Sequence, residues 1–298
     1  MPTVGQGAPR SQEQSAHRGG FISSRWRRGR NLTLKIWRHP ANAHHRLRAF
    51  LRVLRFFVSA ILLRSRIKVP LGAHSEIWAD RGFVSSFNVV IGNPPDWNEM
   101  QAWKRILGHD TLFVDVGANI GTYSLWAADL GSAVIAVEPA VDARQALRDN
   151  ADLNGFELEV IPAALAEKPG VMRFINSMAT MNHLVRKDEA GGVEVEVRTL
   201  DSVLGTRVAD GVKIDVEGGE HFVLDGARQA LAEGRLPVIQ IEWNVMAEKM
   251  YGDSRERLAD ALIGYGYRFC RPDEHGIFQP AGIEVSRRDL FAILERST

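Results

Sequence analysis

The sequence predicts an α/β protein built on a mostly parallel sheet with helices on both faces, and three observations carry that prediction. From Thr111 onward, short apolar runs near 112–116, 133–137, 158–161, 212–216 and 238–242 alternate with stretches of helical periodicity, as strands joined by crossover helices do. The first run ends in a glycine-rich turn, "FVDVGANIGTYSL" from Phe113 to Leu125, where a strand hands over to a helix. The composition, 45% hydrophobic and 24% charged over 298 residues, allows a full core and excludes collagen-like, wholly disordered and multi-span membrane classes.

In chain order, residues 1–45 read as a basic mobile tail. Up to Asn31 they are rich in Gly, Ser, Gln and Arg without periodicity, and they lack the apolar area that ordering requires. The total charge of +1 hides an asymmetry. Up to Pro70, 15 Lys and Arg face the single acid Glu13, a balance of +14, and the remainder holds 22 against 35, a balance of −13.

Residues 46–110 read as an amphipathic helix followed by a hairpin and cap. In "RLRAFLRVLRFFVSAILLR", Arg48, Arg52, Arg55 and Ser59 recur at spacings of four, three and four, leaving Leu47, Phe50, Leu51, Leu54, Phe57, Val58, Ile61 and Leu62 for the rest of the surface. Its apolar run, 56–63, falls far short of the roughly 20 residues that span a bilayer. Three readings compete: packing on the domain or a partner chain, peripheral membrane contact through residues 46–66 with arginines at anionic head groups, and nucleic-acid contact. Packing is preferred, and no nucleic acid is expected. The apolar run starts too late for a secretory signal and no small-residue cleavage site follows it. The single cysteine, Cys270, excludes an internal disulfide and a Cys-based zinc site and suits a reducing compartment, so a cytoplasmic location is expected. "RIKVPL" and "SEIWAD" alternate as a hairpin around 72–74, and "NPPD" at 93–96 marks a loop.

Residues 111–298 read as the nucleoside-binding domain. Ala143, Ala146, Leu147 and Ala151 form one helical stripe, and Val223, Ala227, Ala230 and Leu231 another. Asp253 and Glu256 form a capping box ahead of Leu258, Ala261 and Leu262. The connection 162–211 is too long for one crossover. It holds two β-like runs, 170–176 and 193–200, read as an inserted antiparallel pair whose loop, 177–192, covers the carboxyl edge of the sheet.

The glycine turn sits where open α/β sheets bind ligands. Gly117 permits a tight turn and close approach, Gly121 opens a helix whose first N–H groups are unpaired, and Glu138 ends the next strand 21 residues after Gly117, placed to take both hydroxyls of a ribose. A dinucleotide fingerprint would read G-x-G-x-x-G. Here the pattern is Asp115-x-Gly117-x-Asn119-x-Gly121, without the middle glycine. Asp115 would repel a pyrophosphate and suits a ligand carrying an ammonium and a sulfonium, as S-adenosylmethionine does.

Together, "VDVGANIGTYSL", "VEP", "LNG", "VKIDVEGGEHFVLDGA" and "PVIQIEW" resemble the FkbM family of S-adenosylmethionine-dependent methyltransferases, over about half the chain. The resemblance implies a class I methyltransferase fold, S-adenosylmethionine as donor, and a hydroxyl of a sugar or natural product as acceptor. By position it implies donor-binding roles for Asp115, Gly117, Ala118, Asn119, Gly121, Glu138, Pro139 and, through the backbone of "PAALAE", Ala163. Lys213, Asp215, Glu217 and Gly218 match the "KIDVEG" signature, and Asp201 a "TLD" element.

For proton removal from an alcohol acceptor, Asp215 is the first choice and Glu217 the next, both at the carboxyl end of a central strand; alternation puts Lys213 on the same face as Asp215. A structural Lys213–Asp215 ion pair, and Glu217 and Glu220 as first-turn helix acids, are the competing plain readings. His183, on the insertion, and His221 are weaker candidates for a base. Glu242, at the end of the fifth strand with Trp243 and Asn244, is placed either to meet acceptor hydroxyls or to serve a helix cap or loop. No metal is required by the spacing. The rival functions are a nicotinamide-dependent oxidoreductase and a non-catalytic nucleoside-binding scaffold.

Overall fold

The computed structural model describes residues 31–175, 183–184, 192–243, 255–284 and 289–295. Asp253 of the expected capping box, Asn244, and the loop 177–192 apart from 183–184 and 192 lie outside them.

The stretch 31–45, expected within the tail, is folded. Residues 31–38 form helix α1, Ile36 is buried, and the amide of Asn42 donates to the carbonyls of Ile36 and Ile91 at 2.9 and 2.8 Å. Helix α2 (Arg46–Phe57) runs on as a π-helical segment, Val58–Leu63, and ends at left-handed Arg64. Its inward face is Ala49, Val53, Phe56 and Ala60. This corrects the expected polar line. Arg52 turns inward, where Nε donates to the Val90 carbonyl at 2.8 Å and Nη2 to Asn42, and Ser59 is buried. Arginine's long stem reaches carbonyls at the end of a neighbouring helix, so charge at this position does not mean solvent.

The hairpin forms as expected, β1 (Ile67–Pro70) antiparallel to β2 (Glu76–Ala79). Helices α3 (Val84–Ile91) and α4 (Trp97–Ile106) lead to the sheet. Its strands are β3 (Leu112–Val116), β4 (Ala133–Val137), β5 (Glu159–Ile161), β10 (Gly211–Ile214), β11 (Val238–Ile241), β12 (Tyr267–Pro272), β13 (Phe278–Pro280) and β14 (Leu290–Leu294), in the order β13-β12-β14-β11-β10-β3-β4-β5. The five from β5 to β11 are parallel, and β14 runs antiparallel between β11 and β12.

Both faces of the sheet are covered, so its strands are apolar almost throughout. Val114, Val116, Val212, Ile214, Ile239 and Ile241 pack on one side with α7 (Leu200–Leu204), α8 (Glu220–Asp225), α9 (Arg228–Ala232) and α10 (Arg255–Gly264). Phe113 and Val134 pack on the other with α2, α4 and α5 (Thr122–Asp129). Helix α6 (Val141–Asn154) buries Ala143, Leu147 and Ala151 as its stripe requires.

Two helical expectations need correction. The stripe from Val223 to Leu231 belongs to two short helices broken at Gly226, where a Cβ would lie 2.2 Å from the Ala166 carbonyl oxygen. In α10 the buried partner of Leu258 and Leu262 is Ala259; Ala261 is exposed.

The insertion is a second sheet. β7 (Gly170–Ile175) pairs antiparallel with β9 (Val193–Arg198), as expected, but β6 (Ala163–Leu165) and β8 (His183–Leu184) complete a four-stranded order β6-β9-β7-β8. Leu200, read as strand, opens α7, whose cap is the Thr199 side chain accepting from the Ser202 N–H.

Candidate active site

The strand order reverses between β3 and β10, so the crevice beyond their carboxyl ends is the expected ligand site. At this point the N–H groups of Gly117 and Ala118 both donate to the Val137 carbonyl, at 2.9 and 3.1 Å. Gly117 has φ 80°, and a Cβ there would lie 1.9 Å from the carbonyl oxygen of Asp215. Gly121 has φ 90°, and its Cβ would meet Leu147 Cγ at 3.1 Å. Both glycines are therefore required by the protein's own backbone, the first by overlap with the neighbouring strand and the second by its left-handed φ.

Asn119, also left-handed at φ 52°, points its N–H at Glu138 Oε2 at 2.8 Å, while the Ala140 N–H donates to Oε1 at 2.8 Å. Two backbone donors fix the Glu138 carboxyl, and each oxygen retains a further acceptor direction. Burial pushes its pKa up to about 7, against the pull of those two N–H groups. Ala118 is buried. The Pro139 carbonyl accepts from Arg144 Nη1 at 2.9 Å. Ala163 is completely buried in β6.

Asp115, Lys213 and Gln240 stand in register across β3, β10 and β11 and form a polar row on one face of the sheet. Asp115 has no exposed surface; Oδ2 accepts from Ser124 Oγ at 2.7 Å, and Oδ1 is buried without a hydrogen-bond partner. Lys213 Nζ donates to Asp215 Oδ2 at 2.6 Å and lies 4.7 Å from the centre of the Tyr123 ring. Tyr123 Oη donates to Asp96 Oδ2 at 3.0 Å and accepts from Gln240 Nε2 at 3.1 Å. Gln240 Nε2 also donates to Asp289 Oδ2 at 2.6 Å, and Trp103 Nε1 donates to Gln240 Oε1.

Burial pushes the carboxyls of Asp96 and Asp115 up and that of Asp289 up to about 7, with Lys213 opposing each shift. For Lys213 itself, burial lowers the pKa, but Asp215, Asp115 and Asp289 together outweigh it and raise the ammonium. The expected ion pair of Lys213 and Asp215 is thus formed, and it is unequal: the lysine side chain is 5% exposed and the aspartate 36%. Asp215 is where the buried network meets the outside.

Sequence reading missed Asp96, Tyr123, Gln240 and Asp289. Only Gln240 was signalled, as a polar residue within an otherwise apolar strand.

Beside Asp215, Glu217 adopts φ 54° at the turn after β10. Glu242 is pushed up to about 10 by burial, then by Asp215, Glu217, Glu220 and Asp289, so it is protonated at neutral pH and can donate a hydrogen bond. Glu220 stands in the first turn of α8, as read, and is completely buried, accepting from the Gly218 N–H at 2.9 Å and pairing with Arg255 at 3.3 Å. The His221 ring lies 3.8 Å from that of Phe222. His183 pairs with Ile175 through the β8 backbone; its side chain lies outside the described residues. Asp201 stands apart from the site, accepting from the N–H groups of Gln229 and Ala230 at 3.0 and 2.8 Å to cap α9. Among the described residues no group of three His, Cys, Asp or Glu could hold a metal ion.

The residues present fit a cationic nucleoside. Glu138 offers oriented acceptors at the end of β4, and Asp115 an unmet buried one beneath the turn. The carboxyls of Asp96, Asp115, Asp215 and Asp289 gather around the Lys213 ammonium, a setting in which a further ammonium and a sulfonium would meet acceptors.

A family model described as "Methyltransferase FkbM domain" matches residues 115–269. No curated protein matches the chain. Among solved structures, the chain is similar to an rRNA methylase from Streptococcus thermophilus, with 15% identity, 66% of this chain and 94% of that one covered, and a TM-score of 0.39. It is also similar to a ribosomal protein L11 methylase from Lactobacillus delbrueckii subsp. bulgaricus, with 14% identity, 78% and 99% covered, and a TM-score of 0.42. A third is a magnesium protoporphyrin IX methyltransferase from Synechocystis PCC 6803 with bound SAM, with 12% identity, 71% and 84% covered, and a TM-score of 0.41. At these distances none of the three informs the acceptor.

Proposed function

The chain belongs to the FkbM methyltransferase family, and we propose that it moves a methyl group from S-adenosylmethionine to a hydroxyl oxygen of a sugar or natural-product small molecule. The nicotinamide-dependent reading falls with that membership. The observation that supports an oxygen acceptor is the Lys213–Asp215 pair, a carboxylate bound to a buried ammonium yet more than a third exposed at the reversal of the strand order.

Glu138 and the Asn119 turn hold the ribose, and Asp115, enclosed, acts on the donor through its field. When bound, the donor supplies a methyl carbon made electrophilic by sulfonium. Asp215 takes the proton of the acceptor hydroxyl through the oxygen that Lys213 leaves unengaged. Lys213 orients that carboxylate, and Glu217 and protonated Glu242 bind neighbouring acceptor hydroxyls. A positioned base adds about 10²- to 10⁴-fold, and alignment of the reactants supplies on the order of 7–11 kcal/mol.

The test is incubation with isotopically labelled S-adenosylmethionine and a fractionated cell extract. Label in an O-methyl group of a small molecule supports the reading; label confined to RNA or protein overturns it.

A further inference from the structure

Helix α2 and its π-helical extension carry a second apolar face, directly opposite the one that packs. Leu47, Leu51, Leu54, Val58 and Leu62 follow one another at spacings of four, three, four and four, which places them along one line of the helix. All five are exposed, Leu47 and Leu62 by 73% and 74%. Leu34, Trp37, Phe57 and Leu63 extend the patch, so that nine of the 17 large exposed hydrophobic residues among those described lie between 34 and 63. Scattered singly, such residues need no explanation; gathered on α2 with two more on the preceding α1, they do.

The rim of this face is cationic. Arg48 and Arg55 flank the stripe on one side, and Arg46, its guanidinium 4.1 Å from the centre of the Trp37 ring, stands on the other. Lys35, Arg38, Arg64 and Lys68 are exposed nearby, and between residues 14 and 75 there is no acid at all.

We propose that this face lies on an anionic lipid surface, with the leucines in the acyl boundary and the arginines at the head groups. Charge chooses the occupant. A second copy would bring arginine against arginine across an apolar seam, and residues 1–30 carry six arginines against one acid, so both are repelled by the rim that attracts anionic lipid. The geometry is that of a helix lying in the interface plane. Among the described residues no helix is long and apolar enough to cross a membrane. Through its other face the helix reaches the nucleoside turn, because Phe56 stacks on Phe87 of α3 at 5.6 Å and Ser85 of α3 donates from Oγ to Asn119 Oδ1 at 3.2 Å. Docking would hold the crevice at a set orientation to the bilayer.

The experiment is co-sedimentation of the full chain with vesicles of phosphatidylcholine alone or mixed with phosphatidylglycerol, together with hydrogen exchange of residues 46–63. The proposal expects binding to the mixed vesicles only, weakened by salt, with slowed exchange across 46–63. Leu51→Gln/Leu54→Gln, both exposed and so compatible with folding, should weaken binding on the order of a hundredfold while melting and donor binding stay as in the wild type. Three results would overturn it: no vesicle binding, binding that survives the leucine changes but is lost on deletion of 1–30, or a dimer in light scattering that the leucine changes dissociate.

Discussion

The carbonyl oxygen of Asp215 occupies the space in which a side chain at residue 117 would begin, 1.9 Å from the site of its Cβ. The bareness of the glycine turn is thus a packing requirement between β3 and β10, and the same contact sets Asp215 against the donor-binding turn. Gly117→Ala should cost about 3 kcal/mol, from the left-handed φ and the overlap with backbone that cannot yield, and should abolish donor binding. Gly155, also left-handed but with nothing near its Cβ, is the control, and Gly155→Ala should cost only about 1 kcal/mol. Thermal melting with donor titration reads both.

Asp215→Asn removes the base and keeps the shape. Turnover should fall by about 10²- to 10⁴-fold with little change in donor affinity. Lys213→Met is expected to act differently, because it strands the buried carboxylates around it and should cost about 3–5 kcal/mol of stability. A stable Asp215→Asn enzyme of full activity would contradict the assignment.

Glu242 makes stability depend on pH with a defined sign. Its folded pKa, about 10, lies above the ordinary carboxylate value of 4.5, so between those values the unfolded chain sheds a proton that the folded chain keeps. Its contribution is present below pH 4.5 and declines as pH rises towards 10. Glu242→Gln abolishes that decline. Near pH 4.5 variant and wild type should melt alike, and at pH 8 the variant should be more stable by about 5 kcal/mol, or roughly 8 °C. Equal melting at pH 8 would show that the carboxyl is ionised in the folded protein.

Asp201 belongs to the family signature but serves a helix end. Asp201→Ala should cost about 1–2 kcal/mol through loss of the α9 cap and leave turnover at permissive temperature unchanged. A fall in turnover without destabilisation would instead give it a place in the crevice.

Much of this was legible because strand and helix periodicities are local. Leu112–Val116 and Ala133–Val137 are flanked by turns and buried on both faces, so their limits show in the residues alone. Glu138 was legible for the same reason, as an acid at a strand end a fixed distance from the turn, and its carboxyl is held there by two backbone N–H groups. The network around Lys213 was not, since Tyr123 meets Gln240 across 117 residues and Gln240 meets Asp289 across 49. Helix α2 misled because arginine can face inward when carbonyls await it, which leaves leucine facing out. The break at Gly226 was hidden because the partner it accommodates, the Ala166 carbonyl, comes from a different sheet.

The central claim is that the turn after β3, with Glu138, holds the donor. Isothermal titration of S-adenosylmethionine into the wild type and Glu138→Ala tests it most directly. Saturable binding is expected, weakened on the order of a hundredfold in the variant, since two hydrogen bonds to a charged group are lost. No heat from the folded wild type, or equal affinity in the two proteins, would contradict it.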